Sequence, residues 1–286
     1  MKKFGCLLIV VLMLAACVSS AFAIDSYIFP TDVLKQGYVG ATAGYDFGYG
    51  ARKINFPEGT YDYSETVNQL ILDAQVGIGY GLQAGVASYA VPSTRVINDH
   101  YSDSPGRKYV FDHSGIANPT FSLRFSPVEL LALPNDIGIA IDYAFKPGNW
   151  GSSHLSDHGY DTHTVATYGS LVTGPFRTYL GWVGNFNDAA NFRESNSNEI
   201  AAGTEYNFSK SLAFTVDSKA GFVGSSTTTG EHRIANIDFG TQYAVVRNVF
   251  VRPFIDVEYV ENYRYGHQAL GDLFYEEFGV VLRAIF

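Results

Sequence analysis

Apolar residues alternate with small or polar residues, with a period of two, along nearly the whole chain beyond residue 35. In residues 137–145, Ile, Ile, Ile, Tyr and Phe take every second position, and Gly, Ala, Asp and Ala stand between them. Residues 69–80 and 237–245 repeat the pattern. Successive side chains of a β-strand point to opposite faces, so this period predicts strands with one apolar and one polar face.

Twelve such segments follow one another, and the connections between them alternate between short and long. An outer-membrane β-barrel has an even number of strands, short periplasmic turns and longer outer loops. The sequence therefore predicts an all-β fold, a single transmembrane antiparallel β-barrel of twelve strands over residues 36–286. The predicted strands are 36–51, 64–80, 82–93, 115–126, 136–147, 160–173, 175–187, 197–208, 210–224, 231–245, 249–261 and 272–286. The predicted long loops are 52–63, 94–114, 148–159, 188–196, 225–230 and 262–271.

The last predicted strand ends the chain on an aromatic residue. Apolar residues take every second position, while Glu277 and Arg283 stand on the opposite face. This arrangement resembles the C-terminal signature by which outer-membrane proteins are recognised for assembly. We therefore expect the barrel-assembly machinery and outer-membrane lipid to be partners of this chain. The residues of this assembly signal are Phe278, Val280, Leu282, Ala284 and Phe286.

Residues 1–23 have the three parts of a secretory signal peptide. Lys2 and Lys3 precede an apolar stretch, residues 6–16, that is too short to span a bilayer, and small residues lead up to Ala23. We expect cleavage after Ala23 and export to the bacterial outer membrane.

An alternative cleavage site lies before Cys17, because residues 14–17 fit the lipobox of bacterial lipoproteins. Cys17 would then be the lipidated residue. Residues 24–35 stand between the signal peptide and the first predicted strand. They either lie in the periplasm, which we favour, or fold into the lumen as a short plug.

Charge limits what the exported chain binds. Removal of Lys2 and Lys3 leaves 17 basic against 28 acidic residues, a formal charge of −11. This charge argues against nucleic-acid binding, which requires a basic surface.

The charged strand positions are predicted to face the lumen, because a basic residue on the lipid side near the bilayer midplane costs about 2–4 kcal/mol. Nine of them are acidic and five are basic. They form either a salt-bridge lattice that holds the shape of the barrel, or the lining of a water-filled pathway with a mild preference for cations. The lumen-lining candidates are Asp46, Asp73, Arg124, Asp142, Arg177, Glu205, Asp217, Lys219, Asp238, Arg252, Asp256, Glu258, Glu277 and Arg283.

No catalytic residues, cofactor or metal site are predicted. The outer-membrane phospholipases carry a His-x-Ser-Asn-Gly pattern, and the nearest strings here, residues 112–115 and 195–198, do not fit it. One long loop groups histidines with aspartates at a spacing that could bind a metal, but loop histidines are more often solvated. These loop residues are His154, Asp157, His158, Asp161 and His163.

Two segments, residues 80–92 and 115–125, resemble outer-membrane transporters of phenol meta-pathway (aromatic-degradation) operons, which are similar to the long-chain fatty-acid channel superfamily. In that group a strand ending in Pro is followed by a long loop and a Gly-Asp-Pro-Thr-like strand. This chain has Ala117 and Asn118 where Gly-Asp is usual. The resemblance implies passive uptake of small hydrophobic or aromatic compounds, and it fixes no substrate-binding residue.

Two functional classes are open at this point. Twelve strands enclose a lumen that is wider than a filled eight-stranded barrel and narrower than a porin, which suits a channel for small solute molecules. The alternative is a closed structural barrel, or one that acts through its outer loops. An outer-membrane enzyme is a third, less favoured class.

We expect Phe286→Asp, or deletion of Phe286, to reduce insertion into the outer membrane sharply while export continues, because the terminal aromatic residue completes the assembly signal. The measurement is the amount of folded protein in isolated outer membranes, compared with the amount in the periplasm. Normal outer-membrane levels of Phe286→Asp would contradict the assignment of this strand.

Overall fold

A computed structural model describes residues 29–56, 59–91, 95–101, 107–111, 115–148, 150, 161–187, 196–225, 231–246, 248–265 and 268–286. Among these residues no helix has the length and hydropathy needed to cross a membrane. The strands are β1 (Val39–Phe56), β2 (Gly59–Gly79), β3 (Leu82–Val91), β4 (Arg95–Tyr101), β5 (Arg107–Phe111), β6 (Gly115–Ile116), β7 (Thr120–Phe125), β8 (Ile137–Lys146), β9 (Thr162–Thr173), β10 (Phe176–Asn187), β11 (Ser197–Asn207), β12 (Leu212–Val223), β13 (His232–Val246), β14 (Val249–Tyr265) and β15 (Gln268–Ile285).

Twelve of these strands form a closed antiparallel ring. β1 pairs with β2 on one side and with β15 on the other, so the first and last strands close the barrel. From β2 the ring continues through β3, β7 and β8, and then in chain order to β15. The predicted twelve-stranded barrel is confirmed. Closure gives every wall strand a hydrogen-bonded neighbour on both sides, as the interior of a bilayer requires.

The strands reach further into the long connections than the sequence pattern predicts. The predicted loop 94–114 contains the hairpin β4–β5, and β4 pairs with the outer part of β2 at Tyr61–Thr66. β1 and β2 extend into the predicted loop 52–63, and β14 and β15 extend into 262–271. The predicted strand ends are wrong here for a physical reason. A strand can continue beyond the membrane surface, where its residues are polar but its backbone pairing is unchanged. Polar composition therefore marks the membrane surface and not the end of the strand.

Side-chain exposure follows the period of two. In β1, Tyr45, Phe47 and Tyr49 are 40–44% exposed, whereas Asp46 between them is 2% exposed. The apolar side chains therefore point outward and the polar ones inward, which is the reverse of a water-soluble barrel. So large an apolar outer surface is expected where lipid surrounds the strands.

Exposed aromatic residues occur at both ends of the wall. Amphipathic rings of this kind favour the two lipid–water boundaries, so the rings mark the expected depth of the barrel in the bilayer. At the short-turn end these residues are Tyr80, Phe176, Phe208 and Phe286, and towards the long connections they are Tyr49, Phe186 and Tyr259.

We expect Phe239→Arg to destabilise the folded barrel by about 2–4 kcal/mol, because Phe239 is half exposed on the outer face at the middle of β13. The measurement is chemical unfolding in lipid vesicles. The matched control is Asn236→Arg, since the Asn236 side chain lies on the inner face and donates to Asp256. Equal stability of the two variants would contradict the assignment of the faces.

Candidate functional site

The strand register places all fourteen charged candidates on the inner face of the wall. The pairing partners show this directly, because Arg124 faces Asp142 across β7 and β8, and Arg177 faces Glu205 across β10 and β11. The remaining candidates, at inner positions of β1, β2 and β12–β15, are Asp46, Asp73, Asp217, Lys219, Asp238, Arg252, Asp256, Glu258, Glu277 and Arg283.

Two arginines of this set form ion pairs with carboxylates of the wall itself. Arg124 donates from Nε and Nη2 to the two carboxylate oxygens of Asp142, at 2.7 and 2.6 Å. Arg252 pairs with Asp238 and lies 3.7 Å from an oxygen of Asp217. A bidentate arginine–carboxylate contact restricts both side chains, so these groups brace the inner wall.

Residues 29–34 lie inside the barrel at its short-turn end, and the exposed residues 35–38 join them to β1. We call residues 29–38 the N-terminal segment. Phe29 is 5% exposed and packs edge-on against Tyr179, with ring centroids 5.1 Å apart. The hydroxyl oxygens of Thr31 and Ser170 are 2.7 Å apart. These contacts fix the first half of the segment to β9 and β10.

The second half of the N-terminal segment reaches the opposite part of the wall. The Leu34 side chain packs in an apolar cluster with Ala244, Phe250 and Ile285, which belong to β13, β14 and β15. Its backbone N–H donates to Oε1 of Gln83 on β3 at 2.8 Å. The described residues of the segment therefore contact wall strands on both sides of the lumen.

One ion pair joins the N-terminal segment to the wall. Asp32 pairs with Arg177, and Nη1 of Arg124 donates to the Asp32 carbonyl oxygen at 3.1 Å. The Arg177 guanidinium also lies 4.1 Å from the centre of the Phe29 ring. Burial raises the pKa of Asp32 from 3.8 to about 6, although Arg177 acts in the opposite direction. Docking therefore places a carboxylate in a site that favours its protonated form.

Sequence reasoning missed two acidic residues of the lumen. Glu199 lies on the inner face of β11 and accepts hydrogen bonds from Ser197 and Asn185 at 2.9 and 3.2 Å. Its even spacing from Glu205 on the same strand was the signal that could have found it. Asp32 lies outside every alternating segment, so no spacing in the sequence indicated that it would lie in the lumen.

The assembly-signal residues Phe278, Val280, Leu282, Ala284 and Phe286 lie on the outer face at the seam between β15 and β1. The backbones of Phe286 and Val39 exchange two hydrogen bonds there, at 2.8 and 3.0 Å. The last residue is therefore part of the contact that closes the ring.

The loop histidines that we considered as metal ligands are only partly described. His163 points outward, and its Nδ1 is 2.8 Å from the Tyr143 hydroxyl. Asp161 accepts from the Gly148 N–H at 2.9 Å. The signal peptide, Cys17, His154, Asp157 and His158 lie outside the described residues.

The architecture is that of an outer-membrane β-barrel. The structure is similar to an outer membrane channel from Pseudomonas putida F1, with a TM-score of 0.62 and 9% identity over 90% of this chain and 98% of that chain. It also matches the CymD monoaromatic hydrocarbon channel, with a TM-score of 0.47 and 10% identity over 88% of this chain and 89% of that one. For the NanC porin the TM-score is 0.46, with 10% identity over 85% of this chain and 98% of that one.

No protein-family model matches the sequence, and a search of curated proteins finds no match. The identity to the solved structures is low, so the likeness shows the fold alone.

We expect Arg177→Gln to release the N-terminal segment, because it leaves the charged Asp32 buried without its ionic partner. The measurement is backbone hydrogen exchange of residues 29–38 at about pH 7.5, where we expect roughly tenfold faster exchange after correction for intrinsic rates. Arg252→Gln is the matched control, since Arg252 pairs within the wall. Equal hydrogen-exchange rates in the two variants would contradict the proposed role of the Asp32–Arg177 pair.

The same segment should respond to pH. Its docked state binds a proton at Asp32 more tightly than the undocked state, because the pKa is about 6 when docked and near 3.8 otherwise. Docking therefore strengthens as the pH falls from above 6 towards 4, and weakens as the pH rises through 6. Asp32→Asn mimics the neutral form, so it should abolish this dependence and restore docking in Arg177→Gln. A pH dependence that persists in Asp32→Asn would assign it to another group.

Proposed function

We propose that this protein is a channel of the bacterial outer membrane for the passive uptake of small, water-soluble molecules. One observation carries the proposal: the polar inner wall has an excess of carboxylates, which the arginines of the wall do not all pair. A segment that is not part of the wall obstructs the lumen at one end. The obstruction is held by side-chain contacts and one ion pair, which can be released without breaking the sheet.

The unequal pairing of the inner charges supports a hydrated lumen. Glu258 and Glu277 have no ion-pair or hydrogen-bond partner among the described residues. A buried charge without a partner is strongly unfavourable unless water reaches it. An interior that served only to hold the barrel together would gain stability by pairing these carboxylates or replacing them with apolar groups. We infer that water, and with it small solutes, enters this part of the lumen.

A closed barrel is the alternative, and the N-terminal segment is the observation that favours it. The segment contacts β9 and β10 on one side and β13–β15 on the other, so it occupies the short-turn end while docked. If it never undocks, the protein is a structural barrel, or one that acts through its outer loops. Current through single molecules separates the two functions.

The polarity of the inner wall indicates which class of solute the channel admits. The resemblance of residues 80–92 and 115–125 to aromatic-degradation transporters implies hydrophobic or aromatic solutes. The described inner wall instead carries carboxylates, arginines and amides on neighbouring strands, which supports water-soluble ones. We keep outer-membrane lipid and the barrel-assembly machinery as proposed partners, and we propose no catalytic role.

We expect the purified protein to give single-molecule current steps in planar bilayers. The triple variant Phe29→Ala, Asp32→Ala and Leu34→Ala should conduct more, because it removes the anchors of the N-terminal segment. The control is Leu130→Ala with Leu131→Ala, since both leucines are exposed in a turn outside the lumen. Silence of the triple variant after verified insertion would favour the closed barrel.

The open lumen should prefer cations weakly, because acidic residues outnumber basic ones on the inner wall. The measurement is the reversal potential across a salt gradient. The preference should fall as salt rises, since screening shortens to about 3 Å at about 1 M. Anion preference in the unmodified protein would contradict the assignment of the inner charges.

A further inference from the structure

Four carboxylates face one another across four neighbouring strands of the wall. Asp217 on β12 is opposite Asp238 on β13, Asp238 is opposite Asp256 on β14, and Asp256 is opposite Glu277 on β15. Neighbouring strands are about 4.8 Å apart, so this row places like charges at close intervals. Directly opposed like charges destabilise a sheet, so the row needs compensation.

Only half of the row forms an ion pair with the protein's own cations, and Lys219 on β12 acts on Asp256 only at longer range. Arg252 pairs with Asp238 and lies close to Asp217. Asp256 accepts a hydrogen bond from the neutral side-chain amide of Asn236. Within the described part of the chain, Glu277 has neither an ion pair nor a hydrogen bond. The uncompensated charge therefore gathers on β14 and β15.

Two further carboxylates extend this unpaired half. Glu258 lies two residues from Asp256 on the same face of β14, also without a partner among the described residues. Asp46 lies on β1 opposite Gly279, and so diagonally beside Glu277. We call Asp46, Asp256, Glu258 and Glu277 the acidic patch.

Asp46 shows that the patch has more hydrogen-bond acceptors than donors. Its side chain is 2% exposed, and Oδ2 accepts from the Gln69 side-chain amide at 2.8 Å. Oδ1 is buried and has no hydrogen-bond partner among the described residues. A buried carboxylate oxygen without a partner, on a residue diagonally beside another carboxylate, is stabilised by a cation with N–H groups and not by a further acceptor.

Two aromatic rings border the acidic patch. The Phe254 ring leans over Gly279, where a Cβ atom would collide with the ring and lie 2.9 Å from the Asp46 Cβ. The Tyr275 ring leans over Gly48 in the same way. Tyr275 is directly opposite Glu258. Carboxylates next to aromatic faces form a surface that attracts ammonium groups.

We propose that the acidic patch, with Phe254 and Tyr275, binds an extended organic cation carrying two or more ammonium groups. Among the described residues no three acidic or histidine side chains converge on one point as metal ligands do. The carboxylates are spread over three strands and along β14, which matches several cationic groups on one flexible chain. As a statement of what the channel admits, this inference rests on the proposed function. As a binding site it stands on its own.

Titration calorimetry of the full-length protein in detergent tests the site without requiring conduction. The probe is 1,4-diaminobutane at low ionic strength, and butylamine is the single-ammonium reference. We expect saturable diamine binding that Glu277→Gln weakens about tenfold, because this change removes a carboxylate that the protein leaves unpaired. The matched control is Asp73→Asn, which removes one inner carboxylate that accepts from Thr42 outside the patch. It should change diamine affinity by less than about twofold.

Each result has a defined meaning. Diamine binding that falls in Glu277→Gln and persists in Asp73→Asn supports the site, even if the barrel carries no current. In that case the channel function fails and the binding site remains. Absence of saturable binding, equal weakening by the two variants, or equal affinity for butylamine and the diamine would overturn the proposal.

Discussion

The requirement that every backbone N–H and C=O be paired in lipid governs the rest of this structure. The ring meets it by pairing β1 with β15, and the final residue takes part through its hydrogen bonds with Val39. Once the ring is closed, its outer face is mainly apolar, and most charged side chains of the described strands lie on the inner face. Outward polar groups, such as His163 and the Arg233–Glu261 pair, lie towards the long connections. The lumen is therefore where most charged side chains of the described strands collect.

A polar lumen of this width is filled by side chains, braced by ion pairs or hydrated. Different parts of this barrel show these three solutions. Arg124 and Arg252 brace the wall through ion pairs with carboxylates on neighbouring strands. The N-terminal segment fills the short-turn end with Phe29 and Leu34, which pack in small apolar clusters. Further along, the acidic patch has too few cations to close on itself, so this region suits water and cationic solutes.

The N-terminal segment links the two functional alternatives. Its apolar anchors favour a permanently closed lumen, whereas its buried ion pair responds to pH and to substitution. The pKa of Asp32 is raised because burial outweighs the pairing with Arg177. The charged segment is thus docked less firmly than the neutral one, and the barrel holds its obstruction through an interaction that solution conditions can change.

The amino-acid sequence by itself determined the strand number, the topology and the two faces of the wall. These properties depend on a period of two and on loop lengths, which are local along the chain. The even spacing within β14 and β15 likewise sufficed to assign Asp256, Glu258 and Glu277 to one face.

Only the tertiary structure decided which charges meet. Three features depend on the register between strands and on contacts between residues far apart in the chain. They are the opposition of Asp238 and Asp256, the pairing of Arg177 with Asp32, and the position of residues 29–34 in the lumen. It also showed that strands continue where composition turns polar, because backbone pairing does not depend on whether lipid or water surrounds the side chains.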